Sequence, residues 1–239
     1  TSAGTVTGAH SVTATGPSWF KNTLNSSTGS LPVSTDDWTI DRPVSILYGL
    51  AQSAITLTSQ TFGPRFTQAA YVGLLRRSAS GYEQYLATEL ALSATTWTNR
   101  STSGLIKQNF GSVQVTASNY SSGTTAETGR PAVQLRGTHA SSVLNVYGGD
   151  VGWGANDETA TLLTARQEGG TLNIGKNVTL TTLTKLSGTA YVYCAATTIT
   201  NNAGTLNHYA GAVTTLNVTA GTVNESGSGT TTTARVTGG

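Results

Sequence analysis

The chain has one cysteine, Cys194, and no methionine. A single thiol cannot close an internal disulfide or build a cysteine-based zinc cluster. Charged residues make up 10%, against about 25% in an average soluble domain. Net charge is +2, with Lys and Arg scattered except at Arg76–Arg77. That pair is too short for a nucleic-acid patch, so no nucleic-acid partner is expected. No run nears the roughly 18 apolar residues of a membrane helix, so no membrane partner is expected. Residues 1–10 lack the basic-then-apolar pattern of a secretory signal. Disorder brings high charge and abundant Pro, Glu or Lys, but here Pro is only 5.

Small and β-branched residues fill the chain instead. Thr, Ser and Gly number 45, 24 and 28, together 97 of 239 positions. With Val and Ile, the threonines favour strands, and the glycines favour tight turns between them.

Self-similarity emerges after residue 160. Gly170, Gly188, Gly204, Gly221 and Gly238 recur at a nearly constant interval. Threonine pairs precede four of them: Thr181–Thr182, Thr197–Thr198, Thr214–Thr215 and Thr232–Thr233. Leu163–Thr164 stands at that place before Gly170. An apolar residue follows each pair: Ala165, Leu183, Ile199, Leu216, Ala234. A unit this short holds two or three strands and cannot bury its own apolar face, so neighbours must stack. The fold expected is all-β: a parallel β-helix, a solenoid with coils of about 17 residues. Strict hexapeptide periodicity is absent, which argues for the right-handed type.

Residues 1–30 show no core pattern and read as an extended N-terminal arm. Residues 31–239 form the β-helix domain, irregular with loop excursions over 31–160 and regular over 161–239. Residues 152–158 read as a loop that lengthens one coil. The inward ladder contains Leu183, Ile199 and Leu216, with Val178, Val192, Val213, Val218 and Val223 nearby and no charged residue. Trp19, Trp38, Trp97 and Trp153 fall outside the clean repeats, which suits loop packing or a subunit interface.

Catalytic chemistry finds little support. Glycoside cleavage needs two carboxylates about 5–10 Å apart. The candidate sets are Asp36/Asp37/Asp41, Asp157/Glu158 and Glu83/Glu89. Asp37 and Asp41 would sit roughly 13 Å apart on one strand face, and Asp157 and Glu158 would point apart. His10, His139 and His208 lack a nearby carboxylate in sequence and make a poor metal set. Cys194 follows a strand run with no basic neighbour and reads as a buried small hydrophobe. No catalytic residue, cofactor or metal is expected.

Three stretches carry a resemblance: Leu47-Tyr-Gly-Leu-Ala-Gln-Ser-Ala-Ile-Thr-Leu57, Ala126-Glu-Thr-Gly-Arg-Pro-Ala132, and Gly137-Thr-His-Ala-Ser-Ser-Val-Leu-Asn-Val146. With Leu31-Pro-Val33, Asp36–Asp37 and the Thr-Thr-apolar repeat, they make residues 30–239 resemble virion-associated proteins of tailed phages and prophages. The resemblance implies a β-helical structural protein of a virus particle and supplies no catalytic residues. The leading expectation is a capsid decoration or cement protein on the outer surface of the phage particle. Its partners would be its own copies, as a homotrimer, and the major capsid protein or another virion protein. The alternative is a receptor-binding tail fibre or spike component, or a surface adhesin that recognises glycans. Its candidate interaction surface is Tyr71, Arg76, Arg77, Tyr82 and Tyr85, because aromatic faces stack on sugar rings and Arg donates to hydroxyls.

Overall fold

The computed structural model describes residues 5–7, 12–15, 18–22, 34–41, 55–67, 70–72, 74–77, 83–86, 92–102, 105–121, 130–154 and 159–238. The N-terminal strands are β1 (Thr5–Thr7), β2 (Val12–Thr15), β3 (Ser18–Asn22), β4 (Asp37–Ile40), β5 (Ile55–Phe62), β6 (Ala70–Val72), β7 (Leu74–Arg77) and β8 (Glu83–Leu86). Next come β9 (Leu92–Asn99), β10 (Ile106–Asn109), β11 (Thr116–Asn119), β12 (Val133–Arg136), β13 (Val143–Val146), β14 (Asp150–Trp153) and β15 (Ala160–Gln167). The last are β16 (Thr171–Ile174), β17 (Val178–Lys185), β18 (Thr189–Val192), β19 (Ala196–Asn201), β20 (Thr205–Val218) and β21 (Thr222–Val236). No helix occurs among the described residues.

The strands stack in two long parallel ladders. The first runs β6, β10, β12, β14, β16, β18 and then the opening halves of β20 and β21. The second runs β4, β5, β9, β11, β13, β15, β17, β19 and then the closing halves of β20 and β21. A chain that alternates between two such ladders is a parallel β-solenoid. Leu172 pairs with Ala190, Ala190 with Leu206, and Leu206 with Val223. Each of these residues stands two positions after a turn glycine, Gly170, Gly188, Gly204 or Gly221, so the ladder advances in step with the glycines.

The glycines keep this step because the turn requires them. Gly170, Gly188, Gly204 and Gly221 have φ of +70°, +74°, +75° and +84°. A Cβ at Gly188 would also run into the carbonyl oxygen of Gly170 one coil below, and the same holds at Gly204 over Gly188. Only a residue without a side chain fits both demands.

The threonine pairs are corners. Along β17, Val178 and Leu180 are buried, then Leu183 and Lys185; Thr181 and Thr182 are consecutive outward residues. Pairing with β15 runs through Leu162↔Leu180 and Thr164↔Thr182 and skips the step between. Strict alternation would place the second of two adjacent residues inside, so the chain bends there. Each regular coil therefore has three straight segments.

The interior holds the expected ladder. Leu183, Ile199 and Leu216 are vertical neighbours and buried. Val178, Val192, Val213 and Val218 are also buried, while Val223 is half-buried against them. Large residues stack on small ones: Trp97, Ala117, Leu144, Ala165 and Leu183 follow one another in register. That alternation fits bulky side chains into coils only about 4.8 Å apart.

Three expectations are corrected. Trp38, Trp97 and Trp153 fill the coil interior rather than loops or an interface, each fully buried. Phe62 packs against Phe66 at 5.1 Å and against Trp97 at 6.0 Å. The first coils thus use aromatic bulk where the later ones use Leu, Ile and Val. Gly152 and Trp153 belong to β14 rather than to a loop, and residues 155–158 of the expected excursion lie outside the described residues. And the interior is not free of charge: Lys185 points inward with no exposed surface. Trp19 lies in β3, with its side chain outside the described part of the molecule.

At the N-terminal end β1 runs antiparallel along β4, with Val6 opposite Trp38. β2 and β3 pair as an antiparallel ribbon. At the other end Ala234 and Val236, inward positions of β21, are exposed.

Candidate functional site

The most concentrated polar chemistry in the described residues lies inside the solenoid, beside the glycine turns. One inward position reads Asn99, Asn119, Val146, Gln167, Lys185, Asn201 and Val218 through successive coils. All five polar members are fully buried. Each turn leaves backbone carbonyls pointing inward that need donors. Asn99 Nδ2 donates to Asn119 Oδ1 at 2.6 Å and to the Ser121 carbonyl at 3.1 Å. Asn119 Nδ2 donates to the Gly148 carbonyl. Gln167 Nε2 donates to the carbonyls of Gly170 at 2.9 Å and Thr189 at 3.0 Å. Lys185 Nζ donates to the Ala203 carbonyl, and Asn201 Nδ2 to the Ala220 carbonyl at 2.9 Å.

Except at the apolar Val146, these bonds tie each of these coils to the next turn along the axis. Two acceptors beside Lys185, Gln167 Oε1 and Asn201 Oδ1, are buried with no hydrogen-bond partner. Burial pulls the Lys185 ammonium down from 10.5 to about 8. The repeat did contain the signal: Gln167, Lys185 and Asn201 occupy one place in the unit, just before the turn glycines Gly170, Gly188 and Gly204.

The carboxylates with described side chains are engaged locally rather than paired across a cleft. Asp37 accepts from Ser59 Oγ at 2.5 Å. Asp41 takes the Arg65 guanidinium at 2.6 Å and its backbone N–H at 3.0 Å. Asp150 accepts from the Ala132 N–H at 3.3 Å and Asn173 Nδ2 at 3.4 Å; burial raises its pKa, and the Ala132 bond opposes the rise. Glu168 pairs with Arg166 at 2.9 Å. Asp157, Glu158 and Glu89 lie outside the described residues, and Glu83 is on β8.

His208 is buried in an inward position, with Nδ1 3.2 Å from Glu225 and Nε2 3.4 Å from the Cys194 carbonyl. His139 Nδ1 accepts from the Ser141 N–H at 3.1 Å; His10 lies outside the described residues. Among the described residues no group of His, Cys, Asp and Glu is disposed to hold a metal ion. Cys194 is buried, and desolvation pushes its thiol up to about 12.

The expected interaction surface divides between two elements. Arg76, Arg77 and Tyr85 lie on the antiparallel ribbon of β7 and β8, where Arg77 is opposite Glu83 and Leu75 opposite Tyr85. Tyr71 belongs instead to β6, beside Lys107 of β10. Tyr82 lies outside the described residues.

Two aromatic columns on the outer wall went unread in the sequence. Tyr120 and Tyr147 stack at 4.4 Å, with Arg100 over the Tyr120 ring at 5.2 Å. Tyr193 and Tyr209 stack at 4.9 Å. Comparison with protein-family models, curated proteins and solved structures finds no match to this chain.

Proposed function

We propose that the chain is a non-enzymatic structural protein of a tailed-phage particle, carried on its outer surface as a capsid decoration or cement protein. In this reading it assembles as a homotrimer and binds the major capsid protein or another virion protein. The observation that carries the reading is the use of interior polar groups. From Asn99 to Asn201 the inward amides and the lysine bond the turns of their own solenoid. Such a molecule is a stiff rod whose polar groups serve its shape. The resemblance over residues 30–239 directs it to the virion. The N-terminal segment starts against one end of the rod, through β1 on β4, and serves as the anchoring arm.

Deletion of residues 1–30 tests the arm. The truncated chain should keep a β-rich circular dichroism spectrum and lose binding to purified shells stripped of the protein. Undiminished shell binding would remove the arm from the account. Native mass spectrometry of the isolated protein should give three copies, and a stable monomer would refute the trimer.

A further inference from the structure

One repeat position shortly after each turn glycine reads Gly175, Tyr193, Tyr209 and Ser226. These residues follow Ile174, Val192, His208 and Glu225, which are vertical neighbours in the ladder. Tyr193 and Tyr209 are therefore stacked coil on coil, with ring planes 16° apart. Tyr191 lies nearly parallel to Tyr209, at 6.4 Å and 6°. Tyr193 is 40% exposed.

The ends of this stack distinguish it from the other aromatic column. Arg100 lies over Tyr120 in the Tyr120–Tyr147 column. Beyond Tyr193 the same turn position is Gly175, and beyond Tyr209 it is Ser226 followed by Gly227. Neither flanking coil supplies a side chain at that position large enough to cover a ring; Gly175 is buried, whereas Ser226 and Gly227 are exposed. The neighbouring outward positions carry amides, Tyr191 and small side chains. On one side runs the outward column Asn173, Tyr191, Asn207, Asn224, with Asn224 Nδ2 donating to Asn207 Oδ1 at 2.9 Å. On the other are exposed Ala195, Ala212 and Ser228.

We propose that Tyr193 and Tyr209, with the Asn207 and Asn173 amides, form a binding platform for a neutral polysaccharide. An open aromatic face carries negative potential and attracts the polarised C–H groups of a pyranose ring. Amides beside it bond the ring hydroxyls, and the rigid strands hold both in place. A peptide strand could not add here by backbone pairing, because β18 and β20 already have neighbours on both sides. The surface lies along β18 and β20, away from β4 where β1 pairs, so a failed glycan assay and a failed capsid assay are independent results.

The test is isothermal titration of the full chain with dextran, hydroxyethyl cellulose and mannan. Saturable binding to at least one of these is expected. Tyr193→Ala and Tyr209→Ala should each weaken it roughly tenfold. Tyr193→Leu keeps an apolar side chain without a ring face and should weaken binding to the same degree. Tyr193→Phe should stay within about twofold, and Tyr147→Ala should leave binding unchanged. Melting curves verify that the variants fold. Absence of binding to all three polysaccharides would overturn the proposal, as would binding that survives Tyr193→Leu and Tyr209→Ala together.

Discussion

Replacing Lys185 by Met separates the cost of the buried ammonium from the benefit of its hydrogen bond. The Lys185 side chain has no exposed surface and lies between Gln167 and Asn201 in the ladder. Its pKa falls from 10.5 to about 8 because burial disfavours the charged form. Such a drop corresponds to roughly 3 kcal/mol of folding free energy. The sign follows from proton counting. Below pH 8 both folded and unfolded chains carry the charge, and the fold bears the whole penalty. Between pH 8 and 10.5 the unfolded chain binds more protons, so the Lys185 contribution to stability rises with pH. Above 10.5 the penalty is gone. Met keeps the stem and removes the charge, but leaves the Ala203 carbonyl without its donor, at a cost of about 1–3 kcal/mol. Lys185→Met should therefore stabilise the protein by roughly 1 kcal/mol near neutrality and destabilise it by about 1–3 kcal/mol at alkaline pH. Urea titrations followed by circular dichroism, run on both proteins from about pH 6.5 to 10.5, measure this. The tyrosines titrate equally in both chains and cancel in the difference. A stability difference that stays constant across the range would refute the reasoning.

Gly188→Ala should destabilise by roughly 3 kcal/mol or more, because the residue has φ +74° and its Cβ would meet the Gly170 carbonyl; a denaturation midpoint equal to that of the parent would contradict this. Leu183→Ala should cost about 2–5 kcal/mol, whereas Thr182→Ala on the outward corner should change stability by no more than about 0.5 kcal/mol, both read from urea midpoints. Cys194 should resist iodoacetamide at pH 8 in the folded protein and react once urea unfolds it, since burial raises its thiol to about 12; rapid labelling of the native chain would place the thiol elsewhere.

The regular coils were legible because their lengths hardly vary. With a nearly constant step, Leu183, Ile199 and Leu216 recur in phase and identify their own ladder. Upstream the phase is lost: Ile106 pairs with Val133, and Val151 with Leu172, across longer stretches of chain than any step among the regular coils. Those insertions moved Trp97 and Trp153 out of any visible repeat, although both occupy inward positions. Lys185 misled for a different reason. Polarity in a sequence argues for solvent, but inside a solenoid turn the carbonyls of the next coil replace water as acceptors. Tyr193 and Tyr209 share a repeat position, yet their value as a surface depends on the glycines at Gly175 and Gly227, which only stacking brings beside them.

The proposed virion role is tested most directly by cryo-electron microscopy of tailed-phage particles assembled in the presence of this protein. Decoration predicts rod-shaped density with threefold symmetry on the outer face of the capsid shell, with the β1 end against the shell. Density confined to the tail tip would contradict it and favour a receptor-binding spike.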